Sequence, residues 1–301
     1  MKPITIFTPT YNREYILPAA YQSLKEQSSK NFKWLIVDDG SSDSTPDLVK
    51  SWQNEGIVDI EYFWKPNAGM HTAHNVALAN IKTPLCFCLD SDDHLTSNAI
   101  ETILKFWEEY AYKEEVVGIA MNETFINSNS IIGTPFPDGI SQATFDDIYY
   151  KYQVKGDKLL IYKHSIFVEH DYPVFEGERF VPLDYKYLLY PGKLALFNSS
   201  VYLKEYLDEG HSKNLRKTYA RNPKGYGYYH KFRMSRINNF LPTIKSAIHY
   251  TGCMLLSGQK SIVSTSPKKL FTIVTYPLGV LWYLKLKKER SKLGEMHKSL
   301  V

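Results

Sequence analysis

Three carboxylates, Asp90, Asp92 and Asp93, fall within four positions directly after the apolar run Leu85-Cys86-Phe87-Cys88-Leu89. A run of this length behind Pro84 reads as a short buried strand, so the charges collect at a strand end. Carboxylates this close repel one another unless a hard cation or a polar ligand compensates them. The plainer chemistry is a solvated acidic turn in which Asp93 or Ser97 caps the helix that follows.

Other polar clusters end other apolar runs. Pro3 to Thr8 reads as a strand and stops at Pro9-Thr10-Tyr11-Asn12-Arg13. Phe32 to Val37 stops at Asp38-Asp39-Gly40-Ser41-Ser42-Asp43, and Ile57 to Phe63 runs out toward Pro66-Asn67-Ala68-Gly69. Between these strands, Ile16, Leu17, Ala20, Tyr21 and Leu24 recur at helical spacing, Ser44 stands where an N-cap would precede Pro46, and Met70 to Asn80 and Ser97 to Tyr112 read as further helices. Strand and helix alternate over the first 120 residues or so. That pattern predicts an α/β fold with a mostly parallel central sheet flanked by helices. In such sheets the ligand sits beyond the carboxyl ends of the strands, where loops 9–13, 38–43, 65–69 and 90–94 all fall.

Val116 to Met121 continues the pattern as a fifth strand. The polar stretch 122–152 lacks periodicity and is expected to be an insertion over the site, while 153–210 forms the second half of a domain spanning 1–210. That half contains an apolar run at 159–168, a loop from Tyr172 that enters a short helix at Pro182, and a last strand from Lys193 to Leu203.

The composition divides the chain again. Residues 201–301 carry a balance of +14 and residues 1–200 a balance of −10, within an overall +4. The basic extension 211–301 is helix-compatible and therefore expected to meet something anionic. Within it, 270–284 is a strongly apolar run of 15 residues, short of the roughly 20 that span a bilayer. Lys268 and Lys269 precede it, and Lys285, Lys287, Lys288, Arg290 and Lys292 follow. An apolar core with basic flanks suits an interfacial helix on an anionic membrane; the alternative is a buried helix with a solvated tail. Three cysteines, two of them sharing a strand face at 86 and 88, point to reduced thiols. With no hydrophobic leader in view, the expectation is a cytoplasmic protein held peripherally at the inner face of the membrane.

Taken in order, Thr-Pro-Thr-Tyr-Asn at 8–12, Val-Asp-Asp-Gly-Ser-Ser-Asp at 37–43, Asn-Ala-Gly at 67–69 and Asp-Ser-Asp-Asp at 90–93 resemble the family 2 glycosyltransferases of bacterial polysaccharide synthesis. The likeness is clear over about 3–125 and looser over 156–215. It implies the glycosyltransferase A-type fold and inverting transfer from a nucleotide sugar, a UDP-sugar by expectation, to a saccharide or lipid-linked hydroxyl. Thr8, Pro9, Thr10 and Tyr11 would pack on the base and ribose, with Arg13, Asn67 and Gly69 in the same nucleotide set. By the resemblance Asp39 accepts the imide N–H of uracil, and His74 stands where the family has an arginine for the diphosphate. Asp92 would ligate Mg²⁺ or Mn²⁺, Asp90 would face the ribose or a metal-bound water, and His211 would add a late ligand. Asp93 is expected to cap the next helix and Asp43 to be structural. The family places its general base at a helix start, which selects Asp184, with its ionised form favoured by the helix dipole. Glu176 and Glu178 compete for that role. Leu183 and Leu160 stand where relatives carry glutamate.

Two other readings weigh against this one. A haloacid-dehalogenase-type phosphatase also follows a strand with Asp-x-Asp, but His94 occupies the position its motif reserves for Thr or Val. A catalytically silent nucleotide- or carbohydrate-binding relative would explain the departures at Leu160, Met70, His74 and Leu183. Nucleic acid is not an expected partner, because the apolar run in the basic tail would serve no purpose there.

Overall fold

Every residue of Ile4–Thr10 (β1) is buried, as is nearly every residue of Phe32–Asp38 (β2), which is the mark of strands covered on both faces. The computed structural model describes residues 2–128, 130–204 and 214–298. After β1 come Leu17–Lys25 (α1), β2, Thr45–Glu55 (α2), Ile60–Trp64 (β3), Met70–Asn80 (α3), Leu85–Cys88 (β4), His94–Leu95 (β5), Ala99–Glu108 (α4) and Val116–Phe125 (β6). Gln142–Thr144 (β7), a π-helical turn at Asp147–Lys151, Lys158–Lys163 (β8), His164–Phe167 (α5) and Lys193–Lys204 (β9) follow.

Among the described residues these strands make one nine-stranded sheet in the order β3-β2-β1-β4-β8-β6-β9-β5, with β7 on β9. Strands β3, β2, β1 and β4 are parallel, β8 runs antiparallel between β4 and β6, and β6 and β9 are parallel. The register aligns Thr10 with Asp38 and Asp38 with Trp64, so the carboxyl ends of three strands lie level. The apolar core between sheet and helices includes Trp34, stacked at 6.1 Å from Tyr21 and 5.8 Å from Trp52.

The expected insertion at 122–152 begins inside the sheet. Strand β6 continues to Phe125, with Asn122, Glu123 and Thr124 all buried and paired with β9 across register shifts on either side of Asn122. Part of their polarity is met across the strands: Asn122 Nδ2 donates to Asn198 Oδ1 at 3.1 Å, and the Thr124 and Ser200 hydroxyls lie 3.2 Å apart, while Asn122 Oδ1 and Glu123 Oε2 have no hydrogen-bond partner among the described residues. Buried polar groups with cross-strand partners look like a loop in the sequence, although they belong to a strand.

The described residues cluster into two units, one from Met1–Asp171 and Tyr190–Glu205, the other from Tyr172–Leu189 and Tyr206–Val301. The segment Tyr172–Leu189 thus groups with the C-terminal helices, whereas the expected division put it within 1–210. The second unit contains Asp184–Tyr187 (α6), Leu215–Arg221 (α7), Pro223–Arg236 (α8), Phe240–Leu256 (α9), Ile262–Thr265 (α10) and Lys269–Lys298 (α11). Helices α9 and α11 approach closely at two glycines: a Cβ on Gly252 would lie 3.1 Å from the Gly279 carbonyl oxygen, and one on Gly279 would lie 2.5 Å from Thr251 Cβ.

Gly118 marks a similar approach in the sheet, since a Cβ there would sit 2.0 Å from the Ile161 carbonyl oxygen on β8. Gly118→Ala is expected to cost about 3 kcal/mol. Urea unfolding checks this, and an unchanged midpoint would contradict the pairing of β6 with β8.

Candidate functional site

The first three polar loops are held together by side chains that answer backbone groups. Asp38, fully buried, accepts Ser41 N–H at 2.7 Å and the Tyr62 hydroxyl at 2.6 Å, which shapes the turn after β2. Asn12, at φ +50, ties the first loop to this turn: its N–H donates to Ser41 Oγ at 2.8 Å and its Oδ1 accepts Ser42 N–H at 2.8 Å. Asp43 is structural, as expected. It accepts the N–H groups of Glu14 and Thr45, both at 3.1 Å. Burial works against its charge, but the Thr45 hydroxyl and these amides outweigh it and lower the carboxyl below its usual range. Ser44 stands at the N-cap of α2, yet its hydroxyl makes no capping bond; the amides there go to Asp43 and Glu14.

Asp39 joins the second loop to the third. Its Oδ1 accepts from the Lys65 ammonium and from Ala68 N–H at 2.9 Å, and its Oδ2 accepts Gly69 N–H at 2.7 Å. A carboxylate offers about four lone-pair sites, so one is left for a further donor. Gly40, at φ +86, lets this happen, because a Cβ there would meet the Asn67 nitrogen at 2.7 Å. Of the other residues expected around a nucleotide, Thr8 is fully buried and its hydroxyl accepts the Trp34 indole N–H at 2.9 Å. It therefore supports the loop from within the sheet. Pro9 is buried at the end of β1, Tyr11 is exposed, and Arg13 donates to the Tyr15 hydroxyl at 2.9 Å. Among the described residues the buried Thr10 hydroxyl and both ring nitrogens of buried His71 have no protein partner. Burial holds His71 down at about 4, with the Asp39 charge pulling the other way. His71 is thus a neutral imidazole at the start of α3, free to donate at one nitrogen and accept at the other.

His74, one turn further along α3, is also buried, with its ring edge-on to Phe7 at 5.0 Å and Nε2 3.9 Å from Cys88 Sγ. The Cys88 thiol in turn donates to Asp90 Oδ1 at 3.6 Å.

Beyond β4 the acidic run is clamped by a residue the sequence reading missed. The Tyr202 hydroxyl on β9 accepts Asp90 N–H at 3.0 Å and donates to Asp93 Oδ2 at 2.8 Å. Asp93 is therefore no helix cap, and Ser97 is none either: α4 has Asn98 at its N-cap position, with no side-chain capping bond. Burial, reinforced by the charge of Asp90, pushes Asp93 up to about 8. Burial raises Asp90 as well, with Lys204 opposing. Glu123, on β6, is pushed by burial up to about 7. Lys204 lies 3.6 Å from Glu123 and 3.1 Å from Asp157. Burial disfavours its charge, but Glu123, Asp90, Asp157 and Asp93 together hold it charged. Tyr202 and Lys204 are two apart on β9, so strand periodicity places both on one face; that alternation was the available signal.

Burial raises the carboxyls of Asp90, Asp93 and Glu123, and their oxygens are hard donors of the kind that suit Mg²⁺ or Mn²⁺. Among the described residues no three His, Cys, Asp or Glu side chains converge as a ready cage. An ion that takes one or two carboxylates and fills its shell with phosphate oxygens and water fits such a donor set. His211, the expected late ligand, lies outside the described residues.

The three candidate bases lie in the second unit, each in different surroundings. Glu178 is committed: its two oxygens accept Lys224 and Gly225 N–H, both at 2.8 Å, and so cap α8. Glu176 is exposed. Asp184 accepts a short hydrogen bond from the Tyr229 hydroxyl. Burial raises its carboxyl, partly offset by Tyr229 and Arg233. The expected helix-dipole effect is thus overridden, because α6 is a single turn and desolvation is the larger influence.

The model of glycosyl transferase family 2 matches residues 5–204. The glycosyltransferase GlyA of Streptococcus pneumoniae is 26% identical over 211 residues, covering 66% of this chain and 30% of that protein. The teichoic acid poly(glycerol phosphate) polymerase of Staphylococcus epidermidis is 34% identical over 110 residues, 35% of this chain and 15% of the polymerase. The chain thus spans less than a third of the length of either relative. The crystal structure of S. aureus TarS 1–349 in complex with UDP-GlcNAc shares the fold at a TM-score of 0.59 and 14% identity, over 97% of this chain and 92% of that one.

The lowered His71 carries a sign. A depressed folded-state value contributes stability that is present above the ordinary histidine range near 6.5 and lost as pH falls through about 4. His71→Leu should therefore flatten the decline of the melting temperature between pH 6.5 and 4. An unaltered decline in thermal melts would show that His71 is not held neutral.

Proposed function

The chain belongs to glycosyl transferase family 2, and from that premise we propose that it transfers a sugar, with inversion, from a UDP-sugar to a hydroxyl of a saccharide or lipid-linked acceptor in the synthesis of a cell-surface polymer. The observation that carries this reading is the convergence of four polar loops at one edge of the sheet, with spare hydrogen-bonding capacity at Asp39, Thr10 and His71.

In this reading the unfilled lone pair of Asp39 accepts the imide N–H of uracil, which favours that base because one lacking the donor would leave a buried carboxylate short of a partner. Pro9, Thr10 and Tyr11 border the nucleoside, with Arg13, Asn67 and Gly69 alongside, and Thr8 acts from behind. His74 lies toward the diphosphate through the Cys88–Asp90 contact. Asp92 and Asp90 would hold Mg²⁺ or Mn²⁺, whose charge would neutralise the departing diphosphate. Asp184 takes the proton from the acceptor hydroxyl. Its raised affinity for protons suits a general base better than a fully solvated aspartate would, and Glu178 is spent on capping α8.

The membrane reading rests on α11. Its buried residues include Thr272, Thr275 and Gly279, while Leu270 is 72 % and Val274 70 % exposed, with Ile273, Leu278, Leu281 and Leu284 also exposed. Phe240 and Leu241 of α9 are exposed as well, and the Phe240 ring meets Phe271 at 5.8 Å. Among the described residues no helix is long and apolar enough to cross a membrane. A helix that turns its leucines outward between clusters of lysine fits the boundary of an anionic leaflet. By this reading the protein works at the cytoplasmic face of the membrane, held there peripherally.

Two experiments test these assignments. Screening UDP-sugars with Mn²⁺ should give turnover that falls at least about 100-fold in both Asp92→Asn and Asp184→Asn, with UDP affinity reduced in the first variant alone. Full activity of either variant would remove that residue from its role. For the membrane face, Leu270→Glu/Val274→Glu should abolish sedimentation with phosphatidylglycerol vesicles at an unchanged melting temperature. Undiminished co-sedimentation would overturn the interfacial reading.

A further inference from the structure

The second unit holds a hollow of about 610 Å³ bordered by Arg179, Phe180, Lys217, Thr218, Arg221 and Asn222. Its construction is specific. Asn222 is buried and bridges the two segments that form the rim: its Oδ1 accepts Arg179 N–H at 2.8 Å, and its Nδ2 donates to the Thr218 carbonyl at 2.9 Å. Lys217 and Arg221 are four apart on α7 and so share a face of that helix. Arg179 enters from the loop before α6. Among the described residues no carboxylate lies within ion-pairing distance of any of the three, and none lines the hollow. The nearest acid in sequence, Glu178, is turned to the start of α8, where its oxygens are taken by two amides.

Cations at the end of α7 also suit the helix dipole, but that effect acts on Lys217 and Arg221 and leaves Arg179 unexplained. The Thr218 hydroxyl is committed to the Asn214 carbonyl at 3.2 Å, but two guanidinium groups and an ammonium beside an aromatic wall suit phosphate oxygens attached to a larger body. The volume exceeds what one phosphate needs.

We propose that this hollow binds a phosphate group of the acceptor, so that the hydroxyl to be glycosylated belongs to a phosphate-bearing molecule. The phosphate is a phosphodiester of a polyol-phosphate chain or the diphosphate of a prenyl-linked saccharide; both present the same oxygens to Arg179, Lys217 and Arg221. This deepens the transfer reading above and rests on it only for the word acceptor, because binding is measurable without turnover.

The test uses the full chain and three probes: a fluorescein-labelled glycerol-phosphate hexamer, farnesyl diphosphate and UDP. Hexamer binding, followed by fluorescence anisotropy, should weaken at least tenfold in Lys217→Glu/Arg221→Glu and several-fold in Arg179→Gln, with UDP affinity unchanged in both. Displacement of the hexamer by farnesyl diphosphate would support the shared site, and a stronger effect of the variants on one probe would identify the source of the phosphate. Equal hexamer affinity in all three proteins would overturn the proposal. So would a parallel loss of UDP affinity, which would assign the hollow to the donor. Charge-sensitive hexamer binding without turnover of any nucleotide sugar would sink the transfer reading and leave the site standing. Turnover onto a neutral saccharide by a protein that binds neither phosphate probe would do the reverse.

Discussion

The Lys204 ammonium stands against Glu123, Asp157 and the charges of Asp90 and Asp93, and buried Lys158 acts on Glu123 as well. Taking Asp90, Asp93 and Glu123 out of water is costly, and burial raises all three carboxyls in spite of the nearby cations. The clamp from Tyr202 nevertheless keeps Asp90 and Asp93 in place. The sheet thus gathers at one strand end a group of carboxyls that burial drives toward their protonated form. Strands β4, β6 and β9 each contribute to it, so the long polar stretch of β6 and the bulged pairing of β6 with β9 have a common purpose.

The neighbouring loops obey a different rule. Around Asp38, Asp39 and Asn12 the charges and amides are mostly satisfied by backbone partners. These side chains shape the edge before any ligand is present, and the cost of ordering the loops is met within the fold. What is left over is small and local: one lone pair on Asp39, the Thr10 hydroxyl and the neutral ring of His71.

Much of this was legible in the sequence because it is local. Alternating strands and helices, turn glycines and the four acidic or polar loops each lie within a few residues of one another, and their placement follows from the parallel sheet. The rest depended on partners far along the chain. Asn122, Glu123 and Thr124 looked like loop residues because their partners, Asn198, Lys204 and Ser200, come about 80 residues later. Asp93 looked like a cap because Tyr202 could not be foreseen beside it. Asp184 was expected to be held ionised by a helix dipole, but its helix is one turn long and desolvation outweighs the dipole, which reverses the direction. Glu178 became a cap for a helix that begins 45 residues further on.

The contact between Gly252 and Gly279 also governs something outside itself. Because side chains are excluded there, the backbones of α9 and α11 meet in only one angular setting. Turning α11 by a single residue, about 100°, would bring a bulky neighbour into the gap. The glycines therefore act as an index mark on the helix. They decide which way every other side chain of α11 points, and so the row from Leu270 to Leu284 faces outward through a constraint set on the opposite side of the helix.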